Sequence, residues 1–313
     1  MRTGLFTHSA CFEHVTPPGH PERAARLRAV LDALDADAFS SLARFEAPKA
    51  EYDALQRVHS SELVGGILSA TIEPGGFAAI DADTTMSAGS AAAALHAAGA
   101  VTAAVDAVMA GRIDNAFCAV RPPGHHAERA RPMGFCLFNN IAVGALHARM
   151  VHGLGRVAVV DFDVHHGNGT QDIFFSDPNL FYASTHQFPL YPGTGLPSER
   201  GVAGNIVNVA LPPGAGSARF RAAFEEQILP ALAEFGPQVV FVSAGFDAHE
   251  ADPLASLRLR EEDFAWATQQ LCTLAARQCG GRVVSALEGG YDLEALAGSA
   301  AAHVRALAAG GKG

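Results

Sequence analysis

Short runs that are apolar along most or all of their length recur through this chain, and they limit its fold more than any other feature. The strand candidates are Ala116–Val120, Val157–Val160, Leu180–Ala183, Ile206–Val209, Val239–Val242 and Val283–Leu287. A strand with one wet face alternates apolar and polar residues. A run that is apolar throughout is buried on both faces, as in a parallel sheet covered by helices. Ala-rich segments lie between the runs and predict helices over Pro21–Ala36, Ser90–Ala110, Asn140–His152, Ala218–Phe235, Glu261–Gln278 and Leu293–Ala309. This alternation predicts a doubly wound α/β sheet with helices on both sides. No linker divides the chain and no internal repeat is visible, so residues 1–313 read as one domain. The Gly-rich end, Ala309–Gly313, is expected to fray.

Composition narrows the function classes. No stretch of about 18 apolar residues runs without a polar break, so no membrane span is expected. The start MRTGLFTHSACFEH has no apolar core followed by a small-residue cleavage site, and a cytoplasmic protein is expected. Five cysteines (Cys11, Cys118, Cys136, Cys272, Cys279) form no CxxC pair, which argues against a disulfide framework and against a thiolate zinc site. The net charge of −10 disfavours nucleic acid and tolerates cationic ligands such as lysine side chains or polyamines; it also serves solubility.

The loops after the strands carry the chemistry. Arg121-Pro-Pro-Gly-His-His126 follows one strand, Asp161-Phe-Asp-Val-His-His166 another, Ser243-Ala-Gly-Phe-Asp247 a third and Glu288-Gly-Gly-Tyr291 a fourth. Ligands bind beyond the carboxyl ends of strands in an open parallel sheet, so four such loops predict one polar cleft. Asp163 and His165 are two apart in extended chain and point to one side, where they can share an ion with Asp247. Two carboxylates and an imidazole suit a catalytic Zn²⁺ and also accept Fe²⁺ or Co²⁺. Adjacent His125 and His126 can divide proton transfer from charge stabilisation if each has a partner; Asp161 and Asn168 are the candidates. The histidine paired with the amide stays neutral more readily and serves as the base. Tyr291, after two glycines, can donate a hydrogen bond to a developing oxyanion, or be a core tyrosine.

At these residues the chain resembles the histone deacetylase family, in the broad sense that includes bacterial acetoin-utilisation proteins and acetylpolyamine amidohydrolases. The resemblance runs from His20-Pro-Glu-Arg23 through Asp81–Ser90, Arg121–Ala127, Gly134-Phe-Cys-Leu-Phe-Asn-Asn140, Asp161–Gln171, Tyr191-Pro-Gly-Thr-Gly195, Gly245-Phe-Asp247 and Asp252-Pro-Leu254 to Glu288–Tyr291. In Asn168, Gly245-Phe-Asp247 and Glu288-Gly-Gly290 it looks more like the class II and bacterial branch.

The resemblance implies the arginase/deacetylase α/β fold, a mainly parallel sheet of about eight strands. It implies Asp163, His165 and Asp247 as zinc ligands, His126 with Asn168 as general base and later acid, His125 with Asp161 as the electrostatic histidine, and Tyr291 as the carbonyl-polarising phenol. Gly134, Phe135, Tyr191 and Leu254 line the acyl-chain tunnel on this reading, with Tyr191 standing where Phe is more usual. Asp83 matches a rim aspartate and Arg26 an arginine near the inner acetate channel. K⁺ is implied at an inner site (Asp161, Asp163, His165, Ser184, Thr185) and at an outer site formed by backbone carbonyls of Phe174, Asp177 and Leu180. The expected reaction is hydrolysis of an acylated lysine side chain or small acylated amine. The alternatives are an arginase-like enzyme with two Mn²⁺ ions, disfavoured because Ala248 and His249 follow Asp247, and a catalytically silent acyl-ligand sensor. Leu254 at a gatekeeper-like position leans toward acyl-lysine or a neutral amide over polyamines; oligomeric state is not legible.

Overall fold

Residues 1–310 are described in the computed structural model. The expectation of a frayed end falls mainly on residues 311–313, which lie outside the described residues.

The chain opens with strand β1 (Thr3–Thr7), helix α1 (Ala24–Leu34), β2 (Ala43–Glu46) and the short helices α2 (Tyr52–Gln56) and α3 (Ser61–Ser69). A two-residue hairpin pair, β3 (Ala78–Ala79) and β4 (Thr85–Met86), precedes the long helix α4 (Ser90–Met109). Then come β5 (Asn115–Cys118), α5 (Asn140–His152), β6 (Val157–Asp161), α6 (Asn168–Phe174), β7 (Leu180–Gln187) and β8 (Ile206–Leu211). The last third contains α7 (Ser217–Ala223), α8 (Leu229–Phe235), β9 (Val239–Ala244), α9 (Glu261–Cys279), β10 (Val283–Leu287) and α10 (Leu293–Ala309).

Eight strands form one sheet in the order β2-β1-β5-β10-β9-β6-β7-β8, and every pairing is parallel. Helices α1, α10, α9 and α8 pack in series as one layer, and α4 and α5 with α2 as the other. Strands β5, β6, β7, β9 and β10 are buried at every position, which matches their lack of alternation.

The structure corrects several sequence expectations. Strands β1 and β2 were not expected. The edge strand β2, Ala-Arg-Phe-Glu, alternates between half-buried and exposed and so lacks the apolar run that marks the others. The single helix expected over Ala218–Phe235 is α7 and α8 joined by a π turn at Phe224–Ile228. Pro230 has no N–H to donate to the preceding turn, so the ladder widens there. Among the described residues one helix, α4, is long and apolar enough to cross a membrane; 72% of its apolar window is buried inside the fold, where it packs against β1, β5 and α5.

Candidate metal centre and cleft

The strand order decides where the four polar loops go. The strands that precede them, β5, β10, β9 and β6, are consecutive neighbours in the sheet although they are scattered in sequence. All are parallel, so their carboxyl ends open on one edge and the loops meet there.

At the bottom of the cleft His165 Nδ1 lies 3.1 Å from Asp163 Oδ1 and 3.1 Å from Asp247 Oδ2. Both carboxylates are fully buried and His165 nearly so. Burial and the adjacent Asp163 carboxylate push Asp247 up to about 7. Burial opposes charge on His165, yet the two carboxylates push it up to about 10. Two buried anions this close call for positive charge between them. Room for it comes from close backbone approach: a Cβ on Gly245 would lie 1.9 Å from Asp163 Oδ2, and one on Gly289 2.0 Å from Asp247 Oδ2. The donor set, its charge and this clearance fit a divalent ion such as Zn²⁺.

The histidine pair lies beside these three residues, each ring against a different partner. His125 Nδ1 is 2.9 Å from Asp161 Oδ2, and His126 Nδ1 is 2.8 Å from Asn168 Oδ1, with the two rings 4.1 Å apart. Burial disfavours charge on His125, but Asp163 and Asp161 outweigh it and hold the imidazole well above its usual pKa. Burial, then the charges of His125 and His165, hold His126 well below it. Their surroundings thus bias the two imidazoles in opposite directions.

A cavity of about 220 Å³ opens beside His165. His126, His165, Tyr291, Phe135 and Tyr191 line it, together with Asp83, Gly134, Leu190 and Leu254. The Tyr191 ring stands 5.1 Å from His126, and Phe135 meets Tyr291 edge-on at 6.0 Å. Burial pushes the Tyr291 phenol well above its usual pKa, so it remains a proton donor. The Arg26 guanidinium lies 4.8 Å over the Tyr291 ring. Gly134 (φ 57°) carries the chain so close to His126 that a Cβ would lie 2.5 Å from its ring, and Phe135 follows at φ 68°, a costly conformation for a side-chain-bearing residue. That strain is held in part by Phe135 N–H, which donates to Thr84 Oγ1 at 3.0 Å.

Several supporting residues escaped the sequence reading. The buried Glu288 carboxylate accepts from Gly124 N at 2.7 Å, His125 N at 3.1 Å and Ser243 Oγ at 3.1 Å, which ties three of the four loops together. Glu22, fully buried, binds Arg121 through both carboxylate oxygens and Arg26 at 3.1 Å. Arg26 in turn donates to the carbonyls of Gly290 and Glu288. Asp252 accepts from Tyr291 N at 2.7 Å and Leu254 N at 2.9 Å and so links the phenol to the rim. Glu128 Oε1 accepts from Asn168 Nδ2 at 2.7 Å. A carboxylate can only accept, so this bond turns the Asn168 oxygen toward His126. Only the contact distances assign these partners.

The cation sets suggested by resemblance fare differently. At the inner set, Ser184 and Thr185 lie within β7, Ser184 in register with Asp161, and Thr185 Oγ1 is buried without a protein partner, which fits a cation's oxygen set. The outer set does not fit: the Asn205 side chain takes all three carbonyls, of Phe174, Asp177 and Leu180.

A second His/Asp cluster joins α4 to α5 at the opposite edge of the sheet, where these helices end and β5 and β6 begin. His147 Nε2 and His152 Nε2 each lie 2.7 Å from Asp106 Oδ1. His147 Nδ1 is buried without a partner. The two contacts with Asp106 tie the end of α5 to α4.

Comparison with known proteins agrees with this geometry. The family model for the histone deacetylase domain matches residues 20–307. Histone deacetylase 14, chloroplastic, of Arabidopsis thaliana is 40% identical over 97% of this chain and 76% of its own length. A probable deacetylase of Archaeoglobus fulgidus is 40% identical over 94% of this chain and 82% of its own. The crystal structure of the HDA15 HD domain superposes with a TM-score of 0.92 at 35% identity, covering 100% of this chain and 89% of that one. The sheet, the cleft and these matches together place the chain in the histone deacetylase family.

Proposed function

We propose that this protein is a zinc-dependent deacylase that hydrolyses the amide of an acetylated or short-acylated lysine, or a related acylated amine, to the free amine and a carboxylate. The observation that carries this reading is the convergence of Asp163, His165 and Asp247 beneath a narrow aromatic-walled cavity that also receives His126 and Tyr291. Asp163, His165 and Asp247 would hold the ion, which when bound supplies Lewis acidity to the acyl carbonyl and the attacking water.

The chain's own groups do the rest. Nδ1–H of His126 donates to Asn168, so its Nε2 lone pair faces the cavity and takes a proton from water. The same Nε2–H then passes that proton to the departing amine. His125, whose Nδ1 lies 2.9 Å from Asp161 Oδ2, gives electrostatic support beside the developing oxyanion. Tyr291 donates its phenolic hydrogen to that oxyanion. Phe135 and Tyr191 hold an unbranched acyl-amine chain and exclude water, while Asp83 at the rim favours a donor's amide N–H or a cationic group. His249, the neighbour that would have to be a carboxylate in a two-manganese site, faces Glu261 at 3.6 Å instead.

A monovalent cation at the inner set, K⁺ by family likeness, belongs to the same proposal. All five cysteines are free and buried, which suits a reducing compartment such as the cytoplasm.

The test is a side-by-side assay of acyl-lysine peptides, acetylpolyamines and neutral acetamides. Strong chelation should abolish hydrolysis and Zn²⁺ or Co²⁺ should restore it. Full activity in protein shown by elemental analysis to be metal-free refutes the zinc dependence. A metal-loaded protein that binds acyl-lysine but turns over none of the panel would support a sensor instead.

A further inference from the structure

Backbone carbonyls of Phe174, Asp177 and Leu180, in the turn between α6 and β7, all face one atom. Asn205 Nδ2 lies 3.1, 3.2 and 2.8 Å from them. Asn205 directly precedes β8 and is 4% exposed. Its Oδ1 accepts from Ala203 N at 3.2 Å, and its own carbonyl accepts from Tyr182 N at 3.0 Å. The orientation of the amide is therefore fixed chemically. Reversing it would aim an oxygen at three oxygens and an NH₂ at an N–H.

Three inward-facing carbonyls are a cation's donor set. Here the positive end of an amide dipole occupies their centre, two N–H bonds serving three oxygens. An ion within reach of all three oxygens would overlap that nitrogen. The surrounding backbone is shaped to the side chain as well: Gly201 adopts φ 67°, and a Cβ there would lie 2.5 Å from Asn205 Oδ1.

We propose that the Asn205 side chain replaces the outer monovalent cation, so that this chain fastens the α6–β7 turn to β8 with its own amide and carries at most the inner ion. The inference rests on the family reading only for the expectation of an ion at these carbonyls. The amide contacts are independent of whether the protein hydrolyses anything.

Crystals of the wild-type protein prepared with Tl⁺ or Rb⁺ in place of K⁺ test it by anomalous scattering, without an activity readout. The expected result is no peak among the carbonyls of Phe174, Asp177 and Leu180. A peak beside Ser184 and Thr185 would mark the inner ion; its absence would refute that ion and leave the Asn205 proposal supported. A peak among the three carbonyls with the Asn205 amide turned away overturns the proposal. In a second measurement, thermal unfolding is followed in KCl against choline chloride at matched ionic strength. Asn205→Ala frees the three carbonyls and should show a larger K⁺-dependent rise in unfolding midpoint than wild type. Equal K⁺ dependence in the two proteins would refute the idea that the amide stands in the ion's place.

Discussion

Replacing Gly245 by Ala tests the metal centre through its backbone rather than its ligands. An added Cβ would lie 1.9 Å from Asp163 Oδ2 and 2.4 Å from its Cγ. Real Cβ contacts stay above 3.0 Å, so the carboxylate or the β9 loop must yield by at least about 1.1 Å. Asp163 is fully buried and its Oδ2 already accepts from Gly289 N at 2.8 Å, so no free space takes up the shift. Ligand distances in a metal site tolerate only about 0.2 Å. A displacement several times larger removes Asp163 from the ligand set. Disturbing merely the partner of a ligand costs roughly 10–100-fold in affinity, so losing the ligand should cost at least about 100-fold. The assay is Zn²⁺ content after dialysis against buffered free metal, with circular dichroism as a check on folding. Gly65→Ala is the control: in helix α3 a Cβ meets nothing within 4 Å, and the change should stabilise the helix by about 1 kcal/mol or less. A folded Gly245→Ala protein with wild-type zinc affinity would refute the placement of Asp163 in the metal centre.

Tyr291→Phe should fold and keep its metal but lose about 10²-fold or more in kcat, because the phenol's bond strengthens as the oxyanion forms; wild-type kcat would make Tyr291 a packing residue. Asn168→Asp puts a carboxylate against His126 Nδ1 and should raise the pKa of that imidazole, now held well below its usual value. Below its pKa the base is protonated and idle, so the acidic limb of the kcat/KM profile should move to higher pH; movement to lower pH would mean that His126 is not the base. Glu128→Ala frees the Asn168 amide to turn its NH₂ toward His126, favouring the tautomer with hydrogen on Nε2. The loss should be roughly 10-fold or more, seen in kcat at unchanged KM and largely restored by Glu128→Gln, whose amide oxygen still accepts. Equal losses in the Ala and Gln variants would show that the carboxylate acts otherwise.

The sequence by itself determined the chemistry of the cleft and the class of fold. Fully apolar runs such as Val157–Val160 and Val239–Val242 can be stable only with both faces covered, which is a local property of composition. Asp163 and His165 are close because they are two residues apart, and the two glycines before Tyr291 let the backbone come near a ligand. What the sequence could not supply was adjacency between distant segments. Only the strand order β5-β10-β9-β6 turns four separate loops into one cleft. Only packing reveals Glu22 between two arginines, Glu288 beneath three loops, and Glu128 behind Asn168. The strands β1 and β2 were invisible for a related reason: β1 is five residues with a glycine, and β2 is a half-exposed edge, so both owe their conformation to the neighbour that supplies their hydrogen bonds. Asn205 is the sharpest case. A local reading sees a polar residue ahead of a strand, whereas the fold brings three carbonyls from another segment around its amide and thereby decides whether an ion or a side chain holds them.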